Sequence, residues 1–296
     1  MAPPTSRCKV KVKVTERDVG LFVWMVEAGG FLGLDDLAVA FPSRKKAHGR
    51  LALLVRTGYL RKADDAGNGD LHYGLTMQSA RIAAAHIGCS LSDMRWSPRQ
   101  RRAFHMRHSI EVARIRWALE KVCEENDRFR CRILPGSRRS ECLPGQQGQN
   151  GKRLCVPDLA FSLHDRQVGD SILRLVEIDI GTEPVTSSVG VGDISGKAKW
   201  YVGYYDQELY KRDYCKVFEQ DFNGFVVLLL TTSPARLRHM AKAIRSEGAG
   251  DIFWLSTLEA AATGIFGRIW ESALGDTSER LSLIGSRLQD TKSCRS

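Results

Sequence analysis

Residues 156 to 184, VPDLAFSLHDRQVGDSILRLVEIDIGTEP, constrain this chain more than any other stretch. They read as two hydrophobic strands that carry acidic side chains near their ends. Asp158 follows Pro157 directly, while Glu177 and Asp179 alternate with Val176, Ile178 and Ile180 near the end of the second strand. Successive side chains of a strand point to opposite faces, so Glu177 and Asp179 share one face. Two carboxylates facing the same way beside a third repel one another, and a hard divalent cation is the simplest neutraliser.

The other bounds come from size and charge. At 296 residues the chain exceeds one typical core, which favours two domains. No apolar run approaches a membrane span and MAPPTSRCKVKVKV lacks the apolar core of a signal peptide, so a cytoplasmic location is expected. The eight cysteines contain no C-x-x-C pair, which argues against a zinc knuckle or a redox dithiol and makes reduced thiols the default. The net charge of +10 is uneven: residues 1 to 156 carry 28 Lys and Arg against 15 Asp and Glu, and residues 157 to 296 carry 16 against 19. A basic half suited to phosphates is joined to a slightly acidic half that holds the carboxylate cluster.

In the basic half, Lys9, Lys11 and Lys13 form a short arm, Thr15 reads as an N-cap with Asp18 three residues on, and Gly29-Gly30 ends the first helix. A short helix is expected from Leu34 to Phe41. A third follows Pro42-Ser43, with Arg44, Lys45, Lys46 and Arg50 at its start and Leu51, Leu54 and Val55 as its apolar stripe. Three helices with a basic third one fit a helix-turn-helix. Tyr59 to Lys62 and Leu71 to Thr76, around the polar turn ADDAGNGD, then read as a two-stranded wing that would set Arg61 and Lys62 beside a DNA backbone. The alternative is a small helical dimerisation domain whose charges are only solvated.

Residues 81 to 104 read as a connector, with the basic run Arg99, Arg101 and Arg102 at its end. From His105 to about Asn126 a long amphipathic helix places His108 and Glu111 on nearly the same side. Strands at FRCRIL, LCVPDLAFSL and ILRLVEIDI follow, then a helix from about Gly196 to Arg212, the strand FVVLLLTT, the helix PARLRHMAKAIRS and the strand DIFWLST. That order defines an α/β domain with a mixed sheet, α+β over the whole chain. The expected domains are 1–80, a winged helix; 81–104, the connector; 105–262, the sheet domain; and 263–296, a helical and then polar tail.

The Pro157-Asp158 pair, the Glu177-Ile178-Asp179 triplet and this order of elements resemble the PD-(D/E)xK nuclease superfamily. A winged helix followed by VEIDIGTEP, with Lys197 to Tyr201 beyond it, resembles the replication-relaxation family of plasmid proteins, which includes MobC-type mobilisation relaxases. The resemblance covers about residues 15 to 260. It implies Mg or Mn as cofactor, and double-stranded DNA of a plasmid origin or transfer site as partner. A homodimer and replication or mobilisation proteins are further partners it allows. Asp179 departs from the pattern, since a lysine normally stands third in the triplet. That lysine can migrate to the following helix, where Lys197 is the better candidate and Lys199 the other.

Phosphodiester hydrolysis needs an in-line nucleophile, neutralisation of the developing charge and help for the leaving oxygen. On this reading Asp158 and Glu177 flank the metal, Asp179 adds a ligand or orients a metal-bound water, and Lys197 stabilises the transition state. Glu183 and Tyr201 then support the site from behind with His108, and Glu111 supplies an extra acid. Tyr201, Tyr204, Tyr205 and Tyr210 also offer a transesterification nucleophile, although aromatics at helical spacing are more often core. Two functional readings stay open: a metal-dependent DNA endonuclease of plasmid replication or mobilisation, and a non-catalytic DNA-binding replication accessory or transcriptional regulator with a degenerate nuclease domain. A restriction-like defence nuclease is a third.

Overall fold

Thr15 starts the first helix as its sequence predicts. Its hydroxyl accepts from the Asp18 amide, and the Asp18 carboxylate takes the Thr15 backbone N–H at 2.8 Å, a reciprocal capping box that satisfies two otherwise unpaired groups. The helix, α1 (Glu16–Glu27), ends where Gly29 and Gly30 adopt φ of 77° and 100°, conformations that suit glycine. A computed structural model describes residues 12–63, 71–91, 103–134, 156–181, 184–186, 193–275 and 279–284. The turn at 64–70, Lys9 and Lys11 of the arm, the basic run Arg99 to Arg102 and Glu183 lie outside the described residues.

The chain divides into two compact units, Met1–Ala113 and Arg114–Ser296. The first contains α1, β1 (Phe31–Gly33), α2 (Leu34–Ala38), α3 (Arg44–Arg56), β2 (Leu60–Ala63), β3 (His72–Leu75) and α4 (Met77–Ile87). Its three strands are antiparallel in the order β1-β3-β2. The strand β1 is too short to show a period, and sequence periodicity missed it. Phe22, Met25, Leu37, Leu51, Leu54, Tyr73 and Ala83 form the core, so α4 packs with this unit rather than serving as a connector. Gly74 is required by close packing: a Cβ there would lie 2.8 Å from the Phe31 ring.

A largely buried ion pair joins two helices of this unit. Arg50 of α3 donates through Nε to Asp18 Oδ1 at 3.0 Å, through Nη2 to Asp18 Oδ2, and to the Lys13 carbonyl at 2.8 Å. Burial raises the Asp18 carboxyl, but hydrogen bonds from Arg50 and Thr15 outweigh it and hold the group below its ordinary 3.8. The capping residue of α1 is thereby clamped to α3. Arg50→Ala would leave a buried carboxylate with only the Thr15 donors, and a loss of about 2–3 kcal/mol is expected. Urea denaturation measures it. Because the folded-state carboxyl is depressed, the contribution is present above pH 3.8 and fades as pH falls below it.

The long helix α5 (Ala103–Glu124) runs across the boundary between the units. The second unit holds one mixed sheet in the order β4-β5-β6-β7-β8-β9. Its strands are β4 (Phe129–Ile133), β5 (Leu159–Asp165), β6 (Asp170–Asp179), β7 (Phe225–Thr231), β8 (Phe253–Thr257) and β9 (Glu271–Ser272). The pairs β6/β7 and β7/β8 are parallel, and the other three are antiparallel. The parallel steps are bridged by α6 (Ile194–Asp206), with a π-helical turn (Lys211–Cys215) and α7 (Lys216–Phe218) after it, and by α8 (Pro234–Ser246). On one sheet face, Leu173, Leu175, Val227, Leu229, Phe253 and Leu255 meet Ala198 and Tyr201 of α6 and Leu237, Met240 and Ile244 of α8 in a single core. The opposite-facing Val176, Ile178, Val226, Leu228 and Leu230 are buried too, as expected of strands covered on both faces.

The chain beyond α9 (Leu258–Gly264) departs from the expected helical and polar tail. It supplies the edge strand β9 and fully buries Trp270, whose Nε1 donates to the Ile265 carbonyl at 2.9 Å. No helix among the described residues is long and apolar enough to cross a membrane.

Candidate active site

The expected acids sit at one end of the central strands. Asp158 stands just before β5, and because β5 runs antiparallel to β6 with Leu159 opposite Val176, it arrives beside the carboxyl end of β6. Its amide donates to the Val176 carbonyl at 2.8 Å and its Oδ2 accepts the Ile178 N–H at 2.8 Å. Asp158 is thus fastened to the backbone on both sides of Glu177.

Glu177 is 3% exposed and points toward α6. That helix starts where Asp193 accepts from the Gly196 amide at 2.7 Å, a side-chain cap. One turn apart on its inner face, Lys197 donates from Nζ to Glu177 Oε2 at 3.0 Å and Tyr201 donates its hydroxyl to Oε1 at 2.6 Å. The i, i+4 spacing is what lets both side chains reach one carboxylate. Burial, above all, pushes the Glu177 carboxyl above its ordinary 4.5. Lys197 pulls it down, the negative charge of Asp158 pushes it up, and the hydrogen bonds from Tyr201 and Lys197 lower it. The sum is a raised carboxyl.

Of the two candidate lysines, the structure brings Lys197 to the acids. Lys199 is exposed and lines a separate groove. Asp179 shares the face of Glu177, as its spacing requires, but its oxygens are engaged elsewhere. Oδ2 accepts from Thr231 Oγ1 at 2.8 Å and from Arg236 Nε, while Oδ1 accepts from Arg236 Nη2 at 2.9 Å and from the Gly181 amide at 3.1 Å. Burial raises its carboxyl, but these donors outweigh it and hold the group below 3.8. In this arrangement the guanidinium fork ties the Asp179 carboxylate to the start of α8. Arg236, the third residue of α8, escaped sequence reasoning because only the parallel pairing of Asp179 with Thr231 brings the start of α8 to β6.

His108 and Glu111 stand on the part of α5 that belongs to the first unit, whereas Asp158 and Glu177 belong to the second. Three of the four tyrosines are poor nucleophile candidates: Tyr201, Tyr204 and Tyr210 are buried, and Tyr204 is hydrogen-bonded to Asp213 at 2.9 Å. Burial raises both the Tyr204 and Tyr210 phenols, the latter to about 12, which opposes ionisation near neutrality.

The residues at the centre fit a hard divalent cation. Asp158 lies close enough to Glu177 to raise its carboxyl, and the Lys197 ammonium pairs with Glu177. Among the described residues, however, no group of three His, Cys, Asp or Glu side chains converges as a metal cage. Any ion here would need ligands beyond the two carboxylates, as Mg²⁺ usually takes from water and substrate phosphate.

In the first unit, Lys45, Lys46 and Lys62 are exposed as expected. Arg44 is exposed but paired with Asp35 at 2.6 Å. Two expected phosphate contacts are turned inward: Arg50 is committed to Asp18, and Arg61 packs its guanidinium 5.0 Å over the Phe31 ring with its Nε buried. The exposed surface of α3 instead adds His48, Gly49, Ala52 and Arg56 to the two lysines, small and polar residues among which only the charges were visible beforehand. Comparison of the chain with protein-family models, with curated proteins and with solved structures gave no match.

Proposed function

We propose that this chain is a DNA-binding protein that nicks duplex DNA in a metal-dependent manner, using Asp158, Glu177 and Lys197. The observation that carries the reading is the ammonium of Lys197 held 3.0 Å from buried Glu177, beside Asp158. Two acids from adjacent strand ends and one amine from the next helix are the parts phosphodiester hydrolysis requires, and they meet at the carboxyl ends of parallel strands, where open α/β sheets bind ligands. The order α1, β1, α2, α3, β2, β3 with strand order β1-β3-β2 supports reading the first unit as a winged helix, with Lys45, Lys46, His48 and Arg56 facing the groove and Lys62 on the wing. The residues that resemble the replication-relaxation family support a plasmid origin or transfer site as the target.

In this mechanism Asp158 and Glu177 would hold Mg²⁺ or Mn²⁺, which would supply Lewis acidity and a water of lowered pKa. Lys197, fixed by Glu177, places its charge where negative charge develops on the phosphate oxygens. Tyr201 keeps the Glu177 carboxylate from rotating away. Asp179 and Arg236 lock the end of β6 to β7 and α8, so that the site rests on rigid elements. A second reading, DNA binding without cleavage, is favoured by one observation: Lys197 and Tyr201 already satisfy both oxygens of Glu177.

Supercoiled plasmid incubated with the full chain and Mg²⁺ or Mn²⁺ separates the two. Nicked circles are expected from the wild type. Asp158→Asn keeps an oxygen for the Ile178 amide, and it is expected to lose nicking at least 100-fold while its duplex affinity, read by mobility shift, stays within twofold. Undiminished nicking by that variant would remove the proposed site. Binding without nicking by the wild type would establish the second reading.

A further inference from the structure

The helix α6 has a second working face. Lys199, Trp200, Gly203, Tyr204 and Gln207 recur at spacings of three and four residues, and with Leu209 and Arg212 they line a groove of about 380 Å³. This face adjoins the one that sends Lys197 and Tyr201 to Glu177, with the Trp200 ring 5.0 Å from that of Tyr201 at the border. The volume lies within the range of roughly 300–1,000 Å³ typical of small-molecule sites.

The lining has a definite chemistry. Among the described residues its charged members are Lys199 and Arg212, both cationic, and none of the lining residues is a carboxylate. Lys199 makes no ion pair among the described residues. Arg212 is 60% exposed in its side chain, and buried Asp213 holds it from behind, accepting from Arg212 Nε at 2.8 Å and from the Tyr204 hydroxyl at 2.9 Å. One acid thus fixes both a cation and an aromatic ring of the wall. Trp200 stacks on Tyr204 with ring centroids 4.8 Å apart and 15° between planes, so the indole is held as part of a preformed aromatic wall. Gly203 leaves the middle open, and Gln207 supplies an amide that can both donate and accept.

The backbone around the groove is unusual as well. Arg212 lies in the π-helical turn Lys211–Cys215, and Glu208, four residues earlier, is a non-glycine residue at φ 50°. Both features are over-represented where a fold presents a functional group.

We propose that this groove binds a nucleotide unit. Its phosphate pairs with Lys199 and Arg212, its base lies against the Trp200–Tyr204 wall, and Gln207 meets the base edge. Cations beside an aromatic platform recognise the two parts that every nucleotide has, and neither depends on base identity. The unit comes either from a free nucleotide or from a single strand. The inference stands apart from the nicking site, since it uses neither Asp158 nor Glu177.

The test uses the full chain with two probes: fluorescein-labelled oligothymidylate of twelve nucleotides, read by anisotropy, and thymidine monophosphate, read by calorimetry. Two variants remove the groove. Lys199→Ala with Arg212→Ala strips its charge, and Gly203→Leu fills it. A Cβ at Gly203 meets nothing closer than Gln207 Nε2 at 3.8 Å, so the filled variant should fold, which circular dichroism and the melting temperature verify. At least tenfold weaker binding is expected in each variant, for whichever probe the wild type takes. For the oligonucleotide, the charge-stripped variant should also lose about 1.4 from the slope of log K against log salt, two phosphate contacts' worth. Binding of the monophosphate identifies a free-nucleotide site, and binding of the oligonucleotide alone identifies a strand site; both support the proposal. It is overturned if neither probe binds, if both variants stay within twofold of the wild type, or if inorganic phosphate competes as well as the monophosphate does.

Discussion

On the proposed mechanism, replacing Lys197 with methionine is expected to reduce nicking about 100- to 1,000-fold, and it should destabilise the second unit by about 2–3 kcal/mol at pH 8, two losses with one cause. Lys197 is the cation paired with the buried Glu177 carboxylate, whose charge the nearby Asp158 disfavours. Methionine keeps much of the aliphatic stem, so packing is largely preserved and the change is electrostatic. Without the ammonium, Glu177 retains the Tyr201 hydroxyl but carries an uncompensated buried charge. It will respond by taking up a proton, because burial already holds its carboxyl above 4.5 and the loss of Lys197 raises it further. The sign of the pH dependence follows. A carboxyl whose folded-state pKa lies above its unfolded value binds more protons in the native state, so stability falls as pH rises through that interval. The deficit of Lys197→Met should be near zero below pH 4.5, grow as pH rises, and be complete above the raised folded-state pKa. Urea titrations of wild type and variant across pH 4 to 8 measure the difference. Lys197→Arg should recover most of the stability. A deficit that does not change with pH would show that packing, not charge, governs the site.

Much of the site could be read in the sequence because it depends on short-range periodicity. Glu177 and Asp179 share a face by the two-residue period of β6, and Lys197 and Tyr201 share one by the turn of α6. Asp158 needed only an antiparallel neighbour, which the closely following β6 provides. The element order and the mixed sheet were legible on the same grounds. What escaped depends on pairings between distant segments. The partner of Asp179 is Arg236, 57 residues on, brought there by the parallel register of β6 with β7. Arg50 looked like one more cation on a basic helix start, and only the packing of α3 on α1 turns it to Asp18, 32 residues away. Arg61 had the right position for a wing contact, but Gly74 opens a space in which its guanidinium lies against Phe31. The strands β1 and β9, three and two residues long, are too short to carry a period. Lys199 and Arg212 were visible as charges on either side of a helix end, and only the folded turn makes them two edges of one groove.

The second large effect is expected at Asp179 and Arg236, where Arg236→Leu should cost about 3–5 kcal/mol, the cost of stranding one member of a buried ion pair. Asp179 is 3% exposed, and with Arg236 gone its donors among the described residues are Thr231 Oγ1 and the Gly181 amide. Asp179→Asn should cost less, about 1–2 kcal/mol, because the amide is neutral and still accepts from Thr231. Pairing Arg236→Leu with Asp179→Leu removes both charges together. If the interaction is mainly mutual neutralisation, the double variant should be more stable than Arg236→Leu alone, with a coupling of at least about 2 kcal/mol in the cycle. Acid should show the same interaction from the other side. The Asp179 carboxyl lies below its ordinary 3.8, so the pair's contribution is complete above that pH and decays as pH falls through the depressed value. Wild type and Arg236→Leu should therefore converge in stability in strong acid and diverge above pH 4. The pair fastens β6 to β7 and to the start of α8 two residues from Glu177, so Arg236→Leu should slow nicking as well. That loss should be smaller than for Lys197→Met, because on the proposed mechanism Asp179 positions the strand whereas Lys197 would meet the phosphate. A nicking defect in Arg236→Leu as deep as that of Asp158→Asn, in protein shown to be folded, would instead make Asp179 a member of the catalytic centre.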